Sequence, residues 1–433
     1  MPDARSVAAV VEQAHRQHWS AVLAATVRLT RDIDLAEECT QEAFLRALRA
    51  WPTEIPRNPA AWLTTVARRE ALDRLRREAT FQRKLPLLVV EAAESSSSVA
   101  GGGMPGDDEA DEPADLLRLI FTCCHPALAA ESRVALTLRL VCGLTTAEVA
   151  ASLLVKEATA AARITRAKKK IASARIPFRI PGEAELPERL DAVLTVVHLV
   201  YTAGHTATGD TLTRTDLTGR AIDMARMLVT RMPAQPEALG LLALLLLTEA
   251  RGASRVSHQG ELVLLAEQDR ERWDRELVCD GVALVTAALR EGDGRFTVQA
   301  AIAGLHTTAP SWDSTDWRQV SRMYDALMAR WPSPVVALNR VAARSFVAGA
   351  DLAALLGDVD ALAGEPALAG YCYLPATRAD LLGRLGRGAE AVAAYDDALA
   401  LCANAAERRF LLRRRAAAAD DTAVRAGGRG RPA

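Results

Sequence analysis

Aromatic side chains are scarce in this chain of 433 residues, since Phe, Trp and Tyr together make up 4% of it. Alanine is used heavily instead, and such a composition favours helix packing over aromatic-rich sandwiches or barrels. There is also no run of eighteen apolar residues, which argues against a membrane-spanning helix. The sequence therefore predicts an all-α protein.

Cysteine is sparse and unpatterned. The seven cysteines show no disulfide-framework spacing, which suits a reducing compartment. The N-terminus, MPDARSVAAVVEQAHRQHW, carries charges where a signal peptide needs an apolar core, so we expect a cytoplasmic protein. No phosphate-binding glycine loop or convergent catalytic set is visible, and the prediction is no enzyme, no cofactor and no metal site.

The formal net charge of -1 hides a strongly uneven distribution. Residues 57–84 hold eight basic residues against three acids, and residues 156–175 hold seven against one. Residues 91–115 hold eight acids and no Lys or Arg. We therefore divide the chain by its composition and its Pro and Gly breaks. The predicted parts are a first module (residues 1–85), an acidic flexible linker (86–115), a second module (116–180), a C-terminal domain (187–415) and a disordered tail (416–433).

The second module contains the sharpest motif, a helix-turn-helix. Its first helix starts near Thr145 or Thr146, which can cap it, with Glu148 near the positive helix end. In the second helix the apolar residues recur at i, i+4, i+7 and i+11 and form one stripe, at Ala160, Ile164, Ala167 and Ile171.

This second helix has the charge pattern of a DNA-recognition helix. Its N-terminal residues would lie at base edges in the major groove, namely Glu157, Thr159, Ala161 and Ala162. The basic residues behind them would contact phosphates, namely Arg163, Arg166, Lys168, Lys169 and Lys170. The alternative is a solvated basic face on an ordinary helical hairpin.

The first module carries a second candidate nucleic-acid face, on the helix that follows RNPAAW. Four residues share one side of it at i, i+3, i+7 and i+14, namely Trp62, Thr65, Arg69 and Arg76. Tryptophan can stack on an unpaired base while arginine holds phosphate. Spacing alone is equally consistent with the alternative, in which Trp62 is a core residue and the arginines are solvated.

The C-terminal domain has two imperfect copies of a helix, turn, helix pattern. One copy runs through Leu385-Gly386-Arg387 to Leu401, and the other runs from Tyr324 through Trp331-Pro332 into VVALNRVAARSF. The positions of small and large residues are typical of tetratricopeptide repeats, so a helical-hairpin array is predicted.

Together these motifs resemble the extracytoplasmic-function (ECF) group of sigma-70 factors. DIDLAEECTQEAFLRAL and PAAWLTTVARREALDRLRRE resemble region 2 of that group, and TTAEVAASLLVKEATAAARITRAKKKIA resembles region 4. The C-terminal domain resembles the long extension of one subgroup, through GELVLLAEQDRERWDREL, SPVVALNR and AGYCYLPATRADLLGRLGR.

The resemblance implies a promoter-specificity subunit that binds bacterial RNA polymerase core enzyme and promoter DNA. Polymerase contacts would come from Asp34, Glu37, Glu38, Gln41 and Glu42. Contacts to the -10 element would come from Arg57, Asn58, Trp62, Thr65, Arg68, Arg69 and Arg76, and contacts to the -35 element from the second-module residues named above. An acidic surface helix without a partner stays the alternative for the polymerase set.

Two features set this chain apart within the resemblance. Ala158 and Ala160-Ala161-Ala162 replace the usual Gly and Val-Lys-Ser of region 4, so apolar contact or DNA shape would carry more of the -35 preference. The linker of thirty residues averages about 30 Å end to end and reaches about 100 Å when extended, while promoter elements two turns apart are separated by about 70 Å. We therefore expect the modules to collapse together in solution, a route to autoinhibition.

The C-terminal domain has a less specific prediction. The resemblance implies regulation, with a protein partner or an intramolecular contact, and the sequence leaves open whether it activates or inhibits. A helix-turn-helix regulator with a repeat sensor, not joined to polymerase, remains the competing class. Cys123, Cys124 and His125 invite a zinc site, but adjacent cysteines are poor co-ligands, and we expect a buried helix start there.

Overall fold

The computed structural model describes residues 4–88, 112–153, 155–206, 213–257 and 261–428. Within these ranges the chain forms eighteen α-helices and no β-strand, with one isolated bridge between Val256 and Leu262. The all-α prediction is confirmed. None of the helices in the described ranges has the length and apolar character needed to cross a membrane. The chain divides into two compact units, residues 1–196 and 197–433.

Three helices form the first module: α1 (Ala4–Thr30), α2 (Ile33–Ala50) and α3 (Pro59–Leu88). Asp32 caps α2, because its side chain accepts hydrogen bonds from the backbone N–H groups of Asp34 (2.8 Å) and Leu35 (3.0 Å). The aromatic rings of Trp19 and Phe44 lie 6.0 Å apart within the core. Asp32 thus fixes where α2 begins.

Four helices form the second module: α4 (Glu112–Cys123), α5 (Ala130–Leu140), α6 (Thr146–Ser152) and α7 (Glu157–Ser173). The predicted apolar stripe of α7 is buried at all four positions. Thr145 caps α6 in a capping box, since its hydroxyl accepts from the N–H of Glu148 (3.2 Å) and its own N–H donates to the Glu148 carboxylate (2.8 Å).

The predicted linker falls mostly outside the described residues, which resume at Glu112 after Leu88. Its two ends are helical, because α3 continues to Leu88 and α4 begins at Glu112. After the proline-rich break, α8 (Leu186–His205) follows. The buried guanidinium of Arg189 at its start donates to the backbone oxygen of Phe121 (2.8 Å), which ties the start of α8 to α4.

The second unit continues as packed helices, most of them joined by short connections. They are α9 (Thr215–Arg231), α10 (Pro236–Glu249), α11 (Arg275–Glu291), α12 (Arg295–Thr308), α13 (Trp317–Arg330), α14 (Pro334–Arg344), α15 (Leu352–Ala361), α16 (Tyr373–Arg384), α17 (Gly388–Leu401) and α18 (Ala405–Gly428). The two predicted hairpins are α13 with α14 and α16 with α17. Gly386 turns the second one at a φ of +77°, which glycine adopts without strain.

Small residues allow α16, α17 and α18 to pack closely. Ala391, Ala394 and Ala398 are buried in one apolar cluster with Leu382 and Tyr395. The predicted tail needs a correction, because α18 continues to Gly428 and residues 416–428 are helical. The run of four alanines there has high helix propensity, which outweighs the lack of apolar anchors.

The capping box provides a stability test. Replacing Thr145 with Ala removes the side-chain cap of α6 and is expected to lower the free energy of unfolding by about 1 kcal/mol. Thr146→Ala is the matched control, since Thr146 is the first helical residue and Thr145 supplies the cap. Urea denaturation of both variants checks this, and an equal loss in the two would contradict the assigned cap.

Candidate nucleic-acid interface

The exposed face of α7 is basic. Arg166, Lys169 and Lys170 are exposed and Arg163 is half-buried; Lys169 lies opposite the buried stripe, and the other three lie to one side of it. Arg163, Arg166 and Lys170 line a groove of about 320 Å³ between α7 and the segment 127–132. Glu131 is the one acid on the groove wall, so cations dominate its charge. This arrangement can hold a phosphate backbone.

The N-terminal end of α7 presents small and polar residues. Glu157 and Ala162 are exposed, and Thr159 and Ala161 are half-buried. Because this end precedes the basic residues, a duplex lying along α7 would meet short side chains first. The predicted base-edge residues therefore share one accessible end of the helix.

The α3 face of the first module combines one aromatic ring with arginines. Trp62 is half-buried and its ring meets the buried Trp51 edge-on, with centroids 5.7 Å apart. The side chain of Asn58 caps α3 by accepting from the N–H of Ala61 (3.1 Å). Trp62 is thus neither fully in the core nor fully exposed, and Trp51 fixes its orientation.

Most arginines of this face are available for a ligand. Among the described residues, the guanidinium groups of Arg57, Arg68 and Arg69 form no ion pair or hydrogen bond. Arg76 lies 3.5 Å from the Asp73 carboxylate in an exposed, weak pair. Thr65 is exposed and its hydroxyl donates to the Ala61 oxygen.

The acidic residues of α2 separate into two sets. Glu38, Gln41 and Glu42 lie on or near the exposed side, where Glu38 accepts from Arg74 (2.5 Å) and Glu42 from Arg46 (3.0 Å). Asp34 and Glu37 face the second module instead, and Glu37 is buried. The two sets adjoin on one side of α2, because the Gln41 amide donates to Glu37 (3.3 Å), but the second module covers the part formed by Asp34 and Glu37.

Lys168 of α7 occupies the space next to Asp34 and Glu37. Its amine donates to Asp34 (2.7 Å) and to Glu37 (2.6 Å). Burial lowers the pKa of Lys168, but the hydrogen bonds to these two carboxylates outweigh it and raise the pKa above the ordinary lysine value. Lys168 stays charged at neutral pH and bridges the two modules.

A second set of contacts extends the junction between modules. Arg139 of α5 donates to the other oxygen of Glu37 and to the backbone oxygen of Leu144 (2.9 Å). The indole N–H of Trp19 donates to the Leu140 oxygen (3.1 Å). Gly143 has a φ of +68°, and a Cβ there would lie 3.0 Å from the Trp19 ring. The junction thus combines a close aromatic contact with buried charges.

The cysteines beside α4 behave as core residues. Burial raises the pKa of the Cys124 thiol to about 11 and that of Cys123 well above its ordinary value. The Cys124 sulfur lies 3.5 Å from the Thr137 hydroxyl, and His125 Nδ1 accepts from the N–H of Ala127. Both thiols are therefore protonated at neutral pH, as expected of a buried helix end.

Comparison with known proteins matches three parts of the chain. Residues 15–81 match sigma-70 region 2, residues 118–171 match sigma-70 region 4, and residues 189–289 match a family of unknown function, DUF6596. An uncharacterized protein of Rhizobium meliloti is 41% identical over 90% of this chain and 91% of its own length. No solved structure matches the chain.

Two relatives from Mycobacterium tuberculosis carry functional names. The ECF RNA polymerase sigma factor SigL is 31% identical over 37% of this chain and 86% of its own length. The chain belongs to the ECF sigma factors of the sigma-70 family. The probable ECF RNA polymerase sigma factor SigI is 29% identical over 38% of this chain and 56% of its own length.

In this sigma factor three of the predicted site residues lie at the junction between the two modules. Lys168 was expected to contact DNA phosphate, and Asp34 and Glu37 were expected to contact polymerase, but here they contact one another. The physical reason is charge complementarity between an acidic helix and a basic helix. The arrangement agrees with the expected collapse of the two modules.

Sequence reasoning missed the other members of the junction. Trp19, Arg139 and Gly143 were not predicted to have a role, although Arg139 is the one charged residue in the apolar run VALTLRL. Arg28 was missed too, and it lies 3.1 Å from the buried carboxylate of Asp115 in α4. A lone charge within an apolar run was the signal that could have found Arg139.

The junction can be opened selectively. Lys168→Glu places a third carboxylate beside Asp34 and Glu37, and the three negative charges repel one another. Because this repulsion separates the modules, the backbone amides of α2 and α7 are expected to exchange hydrogen faster. Lys169→Glu changes the same charge at a neighbouring exposed residue and should leave exchange unchanged. Hydrogen–deuterium exchange of the full chain measures both, and equal protection in the two variants would show that Lys168 does not hold the modules together.

Proposed function

We propose that this chain is an alternative sigma subunit that binds core RNA polymerase and directs transcription from promoters with specific -10 and -35 elements. Its first module would bind polymerase and the -10 element, and its second module the -35 element. The fused C-terminal domain would regulate this activity. The observation that carries the proposal is the mixed acidic and apolar face of α2, next to two separate basic faces.

The α2 face has the composition of a protein interface. Glu38, Gln41, Leu45 and Leu48 follow one another at i, i+3, i+7 and i+10, so they share one side of the helix. Leu45 and Leu48 are 47% and 44% exposed. Exposed leucines beside carboxylates are typical of a surface that a basic, partly apolar partner covers.

The α3 face would bind the opened -10 element. Unstacking a base costs a few kcal/mol, and stacking on an aromatic ring returns roughly 1–3 kcal/mol. Trp62, held against Trp51, supplies the ring, and the unpaired Arg57, Arg68 and Arg69 supply phosphate contacts. The free energy lost in unstacking the base and the free energy gained in stacking it on Trp62 nearly cancel. Contacts with polymerase would therefore have to favour the melted state.

The α7 helix would bind the -35 element. Its accessible N-terminal residues are short, which suits contact with thymine methyl groups or recognition of DNA shape. The phosphates would be held by four basic side chains, namely Arg163, Arg166, Lys169 and Lys170. These contacts would make the affinity for DNA depend on the salt concentration.

Closure of the two modules would regulate these surfaces. Promoter elements about 70 Å apart cannot be bound while Lys168 contacts Asp34 and Glu37. Polymerase binding would therefore have to break the contacts of Lys168 with Asp34 and Glu37. The three charged side chains would then contact polymerase or DNA instead. The free chain is then autoinhibited, in agreement with the linker length.

The polymerase interface can be tested by one substitution. Leu45→Glu adds a charge to the α2 face and is expected to weaken core binding about tenfold or more, a loss of about 1.4 kcal/mol. Leu289→Glu is the control, because Leu289 is 46% exposed on α11. Titration of labelled chain with core polymerase measures both. A Leu45→Glu affinity equal to that of the control would show that this face of α2 does not contact polymerase. Absence of core binding by the wild type would favour a DNA-binding regulator without a polymerase partner.

The regulatory role can be tested by run-off transcription with core polymerase on a genomic fragment library. We compare the full chain with a truncation after Thr206, which retains α8 and the contact of Arg189 with Phe121. Discrete transcripts are expected from the truncation, because both DNA-binding modules are retained. Transcripts from the truncation alone would make the C-terminal domain an inhibitor, and transcripts from both would make it a modulator. Silence of both chains would contradict sigma activity.

A further inference from the structure

Three metal-ligating side chains meet near the C-terminal end of the second unit. Cys372 lies immediately before α16, Cys402 immediately after α17, and Glu407 in the first turn of α18. One ligand atom from each of the three side chains lies within 4.8 Å of the other two. Three separate elements therefore direct two sulfur atoms and a carboxylate oxygen at one point.

The separations fit a tetrahedral zinc ion. Zn–S bonds of about 2.3 Å and Zn–O bonds of about 2.0 Å require an S···O distance of about 3.5 Å and an S···S distance of about 3.8 Å. The Cys402 sulfur lies 3.7 Å from Glu407 Oε2. Even the widest pair allowed by the 4.8 Å limit needs a contraction of only about 1 Å.

Hydrogen bonds fix the carboxylate in this position. The Tyr373 hydroxyl donates to Glu407 Oε1, which leaves Oε2 directed at the Cys402 sulfur. The side chain of Asn404 caps α18 by accepting from the N–H groups of Ala406 (2.9 Å) and Glu407 (3.1 Å). A ligand carboxylate whose second oxygen is hydrogen-bonded is a common arrangement in metal sites.

The surroundings also favour a cation. Cys402 and Glu407 are 5% and 8% exposed, and among the described residues no Lys or Arg forms an ion pair with Glu407. The Arg255 guanidinium is close enough to interact electrostatically with Glu407 but forms no ion pair with it in the described part of the chain. Arg255 and the positive end of α18 offset only part of the cost of burying the carboxylate. Two cysteines beside it are soft ligands that calcium and magnesium do not select.

We propose that Cys372, Cys402 and Glu407 bind one Zn²⁺ through two thiolates and one carboxylate, with water in the fourth position. The ion joins α16, α17 and α18, so its role is to hold the last helix against the preceding hairpin. Tyr373 acts as a positioning residue through Glu407. The proposal is independent of the sigma activity, because it concerns the second unit alone.

The first test is the metal content of the full chain, purified without chelator, then incubated with zinc and desalted. Mass spectrometry is expected to find about one zinc per chain in the wild type and in Cys279→Ser, whose cysteine is exposed and lies on α11. Cys402→Ser and Glu407→Gln should lose it. Absence of zinc in the wild type, or equal zinc in Cys402→Ser, would overturn the proposal.

Two further measurements separate metal binding from loss of folding and from a disulfide. Cobalt added to the metal-free wild type should produce thiolate-to-cobalt charge-transfer absorption, which a merely packed cluster would not show. Tyr373→Phe should retain the fold and weaken zinc affinity about 10–100-fold. If Cys372 and Cys402 form a disulfide, and if the chain still binds no metal after that disulfide is reduced, the zinc site is refuted.

Discussion

The Glu37 carboxylate is the contact on which the arrangement of the first unit depends. It is buried between the first and second modules, and both Arg139 and Lys168 donate to it. Removing one partner of a buried ion pair leaves an uncompensated charge, which is strongly unfavourable. Partial separation of the modules is therefore costly, and the junction favours either full closure or full opening.

Such a junction would give a physical basis for the proposed regulation. The same acidic helix that holds Lys168 also presents Glu38, Leu45 and Leu48 to solvent. A partner that first covers the exposed side of α2 would then compete for Glu37 with its own cations. The free energy gained by binding the exposed face of α2 would thus offset the cost of breaking the contacts of Glu37 with Lys168 and Arg139.

The helical elements follow directly from local sequence. The stripe of α7 is buried at Ala160, Ile164, Ala167 and Ile171, and Thr145 caps α6, because both depend on residues within a few positions. The same locality explains the α16–α17 hairpin around Gly386. The helical tail was missed because helix propensity of the alanine run was given less weight than the lack of apolar anchors.

Long-range contacts could not be predicted in this way. Trp19 and Leu140 are 121 residues apart, and Lys168 and Glu37 are 131 apart, so no periodicity connects them. The zinc ligands Cys372 and Cys402 have none of the short spacings by which metal motifs are recognised. The sequence by itself determined helix positions, caps and the division into basic and acidic segments, because these depend on neighbours along the chain. Only the tertiary structure decided which charges face each other, because that depends on how separate helices pack.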